Sequence, residues 1–105
     1  MAQFDVYENT NKQTSDTYPY LLNIQADFLD DLGSSVVIPL IDRNHFDKKA
    51  MKVLMLTVEL LGTRLLVMTP QMASVPRKLL KNKVGNLGYM RQEIIESLDF
   101  LVGGV

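Results

Sequence analysis

His45 is the only histidine in the chain, and cysteine is absent. A metal cluster of His and Cys ligands is therefore impossible, because such a site needs several of these side chains at set spacing. No thiolate nucleophile exists either. A Ser-His-Asp relay would have to run through His45, which sits in a charged stretch beside Asn44 and Phe46. A lone histidine in such a loop is far more often solvated than a general base. Asp27, Asp30 and Asp31 form the densest acidic cluster. Carboxylates suit hard cations such as Mg²⁺ or Ca²⁺, but a solvated turn with an aspartate cap explains these three with fewer demands. No metal and no other cofactor is expected. The glycines Gly33, Gly62, Gly85, Gly88, Gly103 and Gly104 form neither a phosphate loop nor a dinucleotide fingerprint.

Two features point to binding rather than catalysis. Eight of the eleven cationic side chains fall in two short segments: Arg43, Lys48, Lys49 and Lys52, then Arg77, Lys78, Lys81 and Lys83. Together they would attract an anionic partner, either an acidic protein or a phosphate; each segment alone reads as a solvated loop. The second feature is Gly103-Gly104-Val105, which follows an apolar helical pattern. Capping and fraying account for it plainly. A slim tail on a rigid helix can also be inserted into a partner's cleft, where backbone N–H groups or a cation capture a carboxylate.

The elements that must position these residues belong to one domain. The chain has 105 residues, a formal charge of −1 and 47% hydrophobic residues. Single domains run to roughly 100–150 residues, and a disordered chain would be poorer in apolar residues and more highly charged. An isoelectric point near 5.7 argues against a general nucleic-acid coat. No run of about 18 apolar residues offers a membrane span. The first residues, Met-Ala-Gln-Phe-Asp, lack the basic-then-apolar pattern of a signal peptide. A cytoplasmic protein is expected, in keeping with the missing cysteines.

Hydrophobic periodicity predicts five or so short strands and then one helix. Gln3–Glu8 alternates, with Phe4 and Val6 on one face. Asn9–Thr17 is a polar loop. Tyr18–Gln25 is the second strand, in a hairpin with the first, and Pro19 belongs at an edge or a strand start. Asp27–Gly33 is a turn or a single helical turn. Ser35–Ile41 is a β-branched third strand whose internal Pro39 predicts a bulge or an edge position. Arg43–Lys52 reads as a surface loop. Val53–Leu60 and Arg64–Thr69 form the clearest hairpin, turning at Leu61–Thr63 around Gly62. Met72–Pro76 reads as a connector, and Arg77–Lys83 as either a short helix or a strand. At the end Met90, Ile94, Leu98 and Leu101 recur at helical spacing, with Ile95 and Val102 beside them. Arg91, Gln92, Glu93, Glu96 and Asp99 fill the opposite side, giving an amphipathic helix over Tyr89–Val102 stopped by Gly103-Gly104. Strands followed by one helix predict a small antiparallel sheet or barrel with a helix packed on it.

Several segments in order resemble the CcdB toxins of bacterial toxin–antitoxin modules. They are Gln3-Phe4-Asp5-Val6-Tyr7, Ile24-Gln25-Ala26-Asp27, Val37-Ile38-Pro39-Leu40, Met68-Thr69, Met72-Ala73-Ser74-Val75-Pro76 and the helix with its Gly104-Val105 end. The Met-Ala-Ser-Val-Pro run is the most specific. The resemblance implies a mainly β fold, an SH3-like antiparallel barrel with a small extra sheet and a C-terminal α-helix. It implies a homodimeric, non-enzymatic toxin of a plasmid-maintenance type. Such a toxin binds the A subunit of DNA gyrase, traps the gyrase–DNA cleavage complex, and is neutralised by a cognate antitoxin through a disordered C-terminal segment. Nucleic acid would enter only through gyrase. By position, the gyrase face would comprise Ala26, Phe28 and Leu29 after the second strand, with Arg91, Gln92, Asp99, Val102, Gly103, Gly104 and Val105 on the helix and tail. The antitoxin face would comprise Asp42, Arg43, Asn44, His45, Phe46, Lys48 and Lys49, with the Asn9–Thr17 loop close by.

One position departs from the pattern. Similar proteins end Trp-Gly-Ile, and the resemblance gives that Trp a stacking role on a gyrase arginine; here the place holds Gly103. A cation–π contact of this kind contributes about 0.5–2 kcal/mol beyond its buried area. Two other readings stand beside gyrase poisoning. One is an mRNA endoribonuclease of the same barrel superfamily, with His45 as base and Arg64 or Arg77 stabilising phosphorane charge. The other is a relative that binds antitoxin but poisons nothing.

Overall fold

The computed structural model describes residues 2–26, 33–42, 44 and 56–104. Among these, strands form at Asp5–Glu8 (β1), Tyr20–Asn23 (β2), Ser34–Asp42 (β3), Leu56–Leu60 (β4), Thr63–Val67 (β5), Ala73–Pro76 (β6) and Lys83–Asn86 (β7). One α-helix, Arg91–Gly103 (α1), closes the order. Short 3-10 turns occupy Thr69–Gln71, Arg77–Leu79 and Gly88–Met90. All pairings are antiparallel, in the order β4-β5-β3-β2-β1-β7, with β6 set off this path against the first half of β3. The result is a mainly β, curled half-barrel carrying one helix, as the resemblance implies.

Register explains the core. Val6 faces Leu22, Leu22 faces Ile38, Leu40 faces Val67 and Val58 faces Leu65. Side chains alternate along a strand, so these cross-strand partners stack on one face. Phe4, Leu60, Leu87 and Ile94 of α1 complete that cluster. Each fully buried Leu or Ile contributes roughly 1.5–3 kcal/mol. The opposite face carries two smaller clusters, one around Tyr7, Val37 and Leu80, the other around Ile41, Leu66 and Met68.

The β1–β2 hairpin, the third strand, the hairpin over Gly62 and the terminal helix form as the periodicity predicts. Several details differ. Gln3 and Phe4 belong to a turn before β1, closed by Asp5 N–H donating to Ala2 O at 3.1 Å. Pro39 marks neither an edge nor a bulge: β3 is interior and its register with β2 runs unbroken from Leu40 to Val37. On its other side β3 changes partner, from β6 at Ser34–Val37 to β5 at Leu40–Asp42. Pro39 sits at that change, where no N–H is needed, and its carbonyl still accepts from Met68 N at 3.0 Å. Ala73–Pro76 is a strand, not a connector. The Arg77–Lys83 stretch is partly both alternatives, a 3-10 turn at Arg77–Leu79 and then the start of β7. Thr69 lies in a 3-10 turn, and Tyr89 and Met90 lie in another just before α1. Residues Val53–Met55, most of the Asp27–Gly33 turn and most of the Arg43–Lys52 loop lie outside the described residues.

Candidate functional site

Helix α1 carries most of the predicted contact residues. Ile94 and Ser97 are its buried residues, while Ile95 and Leu98 pack partly against the core. No side chain caps its start; the preceding 3-10 turn takes up the Arg91 N–H, which donates to Gly88 O. At its end Gly104 takes φ 74° and donates its N–H to Phe100 O at 2.9 Å. A residue with a Cβ is strained in that left-handed conformation, so glycine ends the helix at little cost.

The exposed side of α1 resolves into two stripes. Successive residues turn about 100°, so Gln92, Asp99 and Gly103 fall within about 40° of one another. Arg91 and Val102 form a neighbouring stripe, eleven residues and about three turns apart. All five are exposed, and Val102 is 86% exposed. The helical pattern placed Val102 beside the apolar spine; in the fold it is exposed near the end of the helix. Glu93 and Glu96 share the exposed side, with Gln92 Nε2 donating to Glu96 Oε1 at 3.1 Å. Counting Arg91, Glu93, Glu96 and Asp99, this surface carries +1 − 3 = −2. It favours a cationic partner surface. Tyr89, 68% exposed, stands at the helix entry with its hydroxyl donating to Glu59 O at 3.2 Å. The two glutamates and Tyr89 lie outside the face the resemblance implies; helical spacing alone puts the glutamates on this side.

Ala26 lies just after β2 and is half-buried. A side-chain amide sets the point where the chain leaves the sheet there. Gln25 Oε1 accepts from Val36 N at 3.2 Å, and its Nε2 donates to Ser34 O at 3.3 Å. The carbonyl of Ile24 accepts instead from Gln3 Nε2 at 3.1 Å. Two glutamine side chains thus replace backbone rungs and end the β2–β3 ladder. Phe28, Leu29 and Val105 lie outside the described residues.

The predicted antitoxin face is described only at its start. Asp42 ends β3, half-buried, and its Oδ1 accepts from Asn44 N at 2.9 Å. Arg43, His45, Phe46, Lys48 and Lys49 lie outside the described residues. A groove of about 170 Å³ opens nearby on the same strand, floored by Tyr18, Leu21, Pro39, Val75 and Leu79 and walled by Asn9–Asn11 and Thr14. Asn9 shapes that wall by donating to Thr14 Oγ1 at 2.9 Å and Tyr18 O at 2.8 Å. Sequence reading found the polar loop but missed its apolar floor, assembled from three strands and the turn after β6.

The second cationic segment splits. Lys83 Nζ pairs with Asp5 at 3.0 Å, and Arg77 is half-buried with its N–H donating to Gly33 O. Lys78 and Lys81 face solvent. Arg64 pairs with Glu59 at 3.5 Å on the exposed hairpin. Among the described residues no group of three or more acidic or histidine side chains is placed to hold a metal ion, and no helix is long and apolar enough to cross a membrane. The family model described as CcdB protein matches residues 3–104.

Proposed function

The chain belongs to the CcdB family, and from that premise we propose that it is the toxin of a type II toxin–antitoxin module. In this reading it binds the A subunit of DNA gyrase and traps the enzyme on cleaved DNA. It performs no catalysis of its own. Gln92, Asp99 and Gly103 supply one contact stripe and Arg91 with Val102 the next. Gly104 and Val105 extend the tip; Ala26, Phe28 and Leu29 supply the second segment. The observation that carries the proposal is the projecting end of α1: Ser97 is its last buried residue, and Val102 beyond it is 86% exposed. An exposed valine on a helix tip has apolar area to bury at about 25 cal/mol/Å².

The protein acts as a homodimer in this reading. Two-fold symmetry offers the same helix tip twice, so a two-fold gyrase is engaged at both halves with high effective concentration. The cognate antitoxin lays a disordered acidic segment along the Asp42–Lys49 loop, with Arg43, Lys48 and Lys49 drawing it in and Phe46 anchoring it beside Asn44 and His45. The groove floored by Leu21, Val75 and Leu79, which shares β3 with Asp42 through Pro39, supports this, because an amphipathic segment needs apolar area as well as charge.

Incubation with purified gyrase, ATP and supercoiled plasmid tests the reading. Linear DNA released after denaturation is the expected product. An absence of linear DNA at every dose removes gyrase poisoning, and degradation of a purified mRNA by the same sample installs the nuclease instead.

A further inference from the structure

Two buried hydroxyls join α1 to the turn that follows β5. Thr69 is 0% exposed and Ser97 is 8% exposed. Ser97 Oγ lies 2.8 Å from Ile94 O and 3.2 Å from Thr69 Oγ1. Each hydroxyl owns one proton. Ile94 O can only accept, so the Ser97 proton goes there and Thr69 must donate to Ser97 Oγ. A one-way chain results, from Thr69 to Ser97 to the Ile94 carbonyl.

Its place along the helix gives it consequence. Beyond Ser97 the helix runs on to Gly103, with Leu98, Phe100 and Leu101 half-buried and Asp99, Val102 and Gly103 exposed. At 1.5 Å per residue, Gly104 stands about 10 Å past Ser97. Apolar packing through Ile94, Ile95 and Leu98 is non-directional and tolerates a small slide or rotation of the helix. A hydrogen bond weakens steeply off its line, so the hydroxyl pair is a directional tie close to the exposed tip.

We propose that Thr69 and Ser97 are positioning residues that fix the rotation and axial height of α1 and so aim Asp99, Val102 and Gly103 at the partner. The proposal rests on the reading of α1 as the gyrase-binding helix; the two hydroxyls themselves touch no partner. Ser97→Ala, Thr69→Val and the double variant separate positioning from stability. Ser97→Ala leaves the Thr69 hydroxyl buried without its acceptor and lowers the melting temperature. The double variant replaces both partners with apolar groups and recovers it. All three variants require roughly tenfold more protein for half-maximal plasmid linearisation by gyrase, the equivalent of one lost hydrogen bond. A double variant active at the wild-type dose overturns the proposal, as does a dose that follows melting temperature across the set. Wild-type protein that yields no linear DNA sinks the gyrase reading and leaves positioning to a second measurement. Backbone ¹⁵N order parameters over Leu98–Gly104 fall toward about 0.6 in the three variants if the pair holds the helix; wild-type values in all of them overturn it.

Discussion

Asp5 shows how one side chain secures the N-terminal turn. It is 2% exposed and gathers Ala2 N–H at 2.8 Å, Asn86 Nδ2 at 2.9 Å and Lys83 Nζ at 3.0 Å. Burial by itself would push its carboxyl up. The Asn86 and Ala2 hydrogen bonds and the Lys83 ammonium outweigh that, and it sits below the ordinary 3.8. The sheltered turn holds Phe4 at φ 69°, a conformation uncommon for a bulky residue, with its ring in the core. A carboxyl with a depressed folded pKa adds stability that is complete above its unfolded value and is lost as pH falls through the folded one. Urea unfolding should therefore show stability declining below about pH 5. Asp5→Asn should flatten that acid limb while costing about 1–2 kcal/mol at pH 7, where it removes a buried charged acceptor. A variant curve parallel to wild type would place the acid sensitivity elsewhere. At the helix tip, Gly103 is exposed and lies within α1, whereas Gly104 takes the positive φ. A side chain at 103 meets no backbone strain, so Gly103→Trp should restore an aromatic contact and lower the dose for half-maximal gyrase trapping by roughly three- to tenfold, in line with a cation–π gain. An unchanged or raised dose would show that the position faces no cation.

The β4–β5 hairpin turns on Leu61 at φ 53° and Gly62 at φ 77°. Positive φ at both positions of a two-residue loop is the type I′ geometry that prefers Asn-Gly. Leu61 is 67% exposed and gains no burial for its strain. Leu61→Asn should raise stability by about 0.5–1 kcal/mol, read as a melting shift of several degrees; a lower melting temperature would mean that Leu61 makes contacts in solution. This turn was legible because Gly62 sits between two apolar runs. The first strand was legible from the alternation of Phe4 and Val6, since burial on one face writes a period of two, and the third from its β-branched run. β6 and β7 left no such mark. Ala73–Pro76 is largely exposed and Lys83–Asn86 holds a single large apolar side chain, so backbone pairing to β3 and β1 defines them. The helix and its Gly stop were readable from spacing, and so was the polar side that carries Arg91, Gln92 and Asp99. The Thr69–Ser97 tie was not, since a serine in an apolar row looks like a flaw until its acceptor is known.

The sheet path begins at β4 and ends at β7, and these two ends approach each other. A Cβ added to Gly85 would stand 2.8 Å from Leu60 Cδ1, and the Tyr89 hydroxyl reaches the Glu59 carbonyl. Gly85→Val should overpack this seam and cost about 1–3 kcal/mol, read as a drop in melting temperature; an unaltered melt would show that Leu60 swings aside. The largest constraint on the molecule is β3, which borders β2 on one side and both β5 and β6 on the other. Its partners run from Tyr20 to Pro76. Pairings this far apart in sequence slow folding relative to helical domains of the same size. During synthesis a nascent chain ending at residue 60 can lay β3 against β2 alone, with Leu40 and Ile41 still lacking their β5 partners Val67 and Leu66. α1 has no seat until Thr69 and Leu87 are in place. Among the described elements the helix is therefore the last to find its place, after every strand that must hold it.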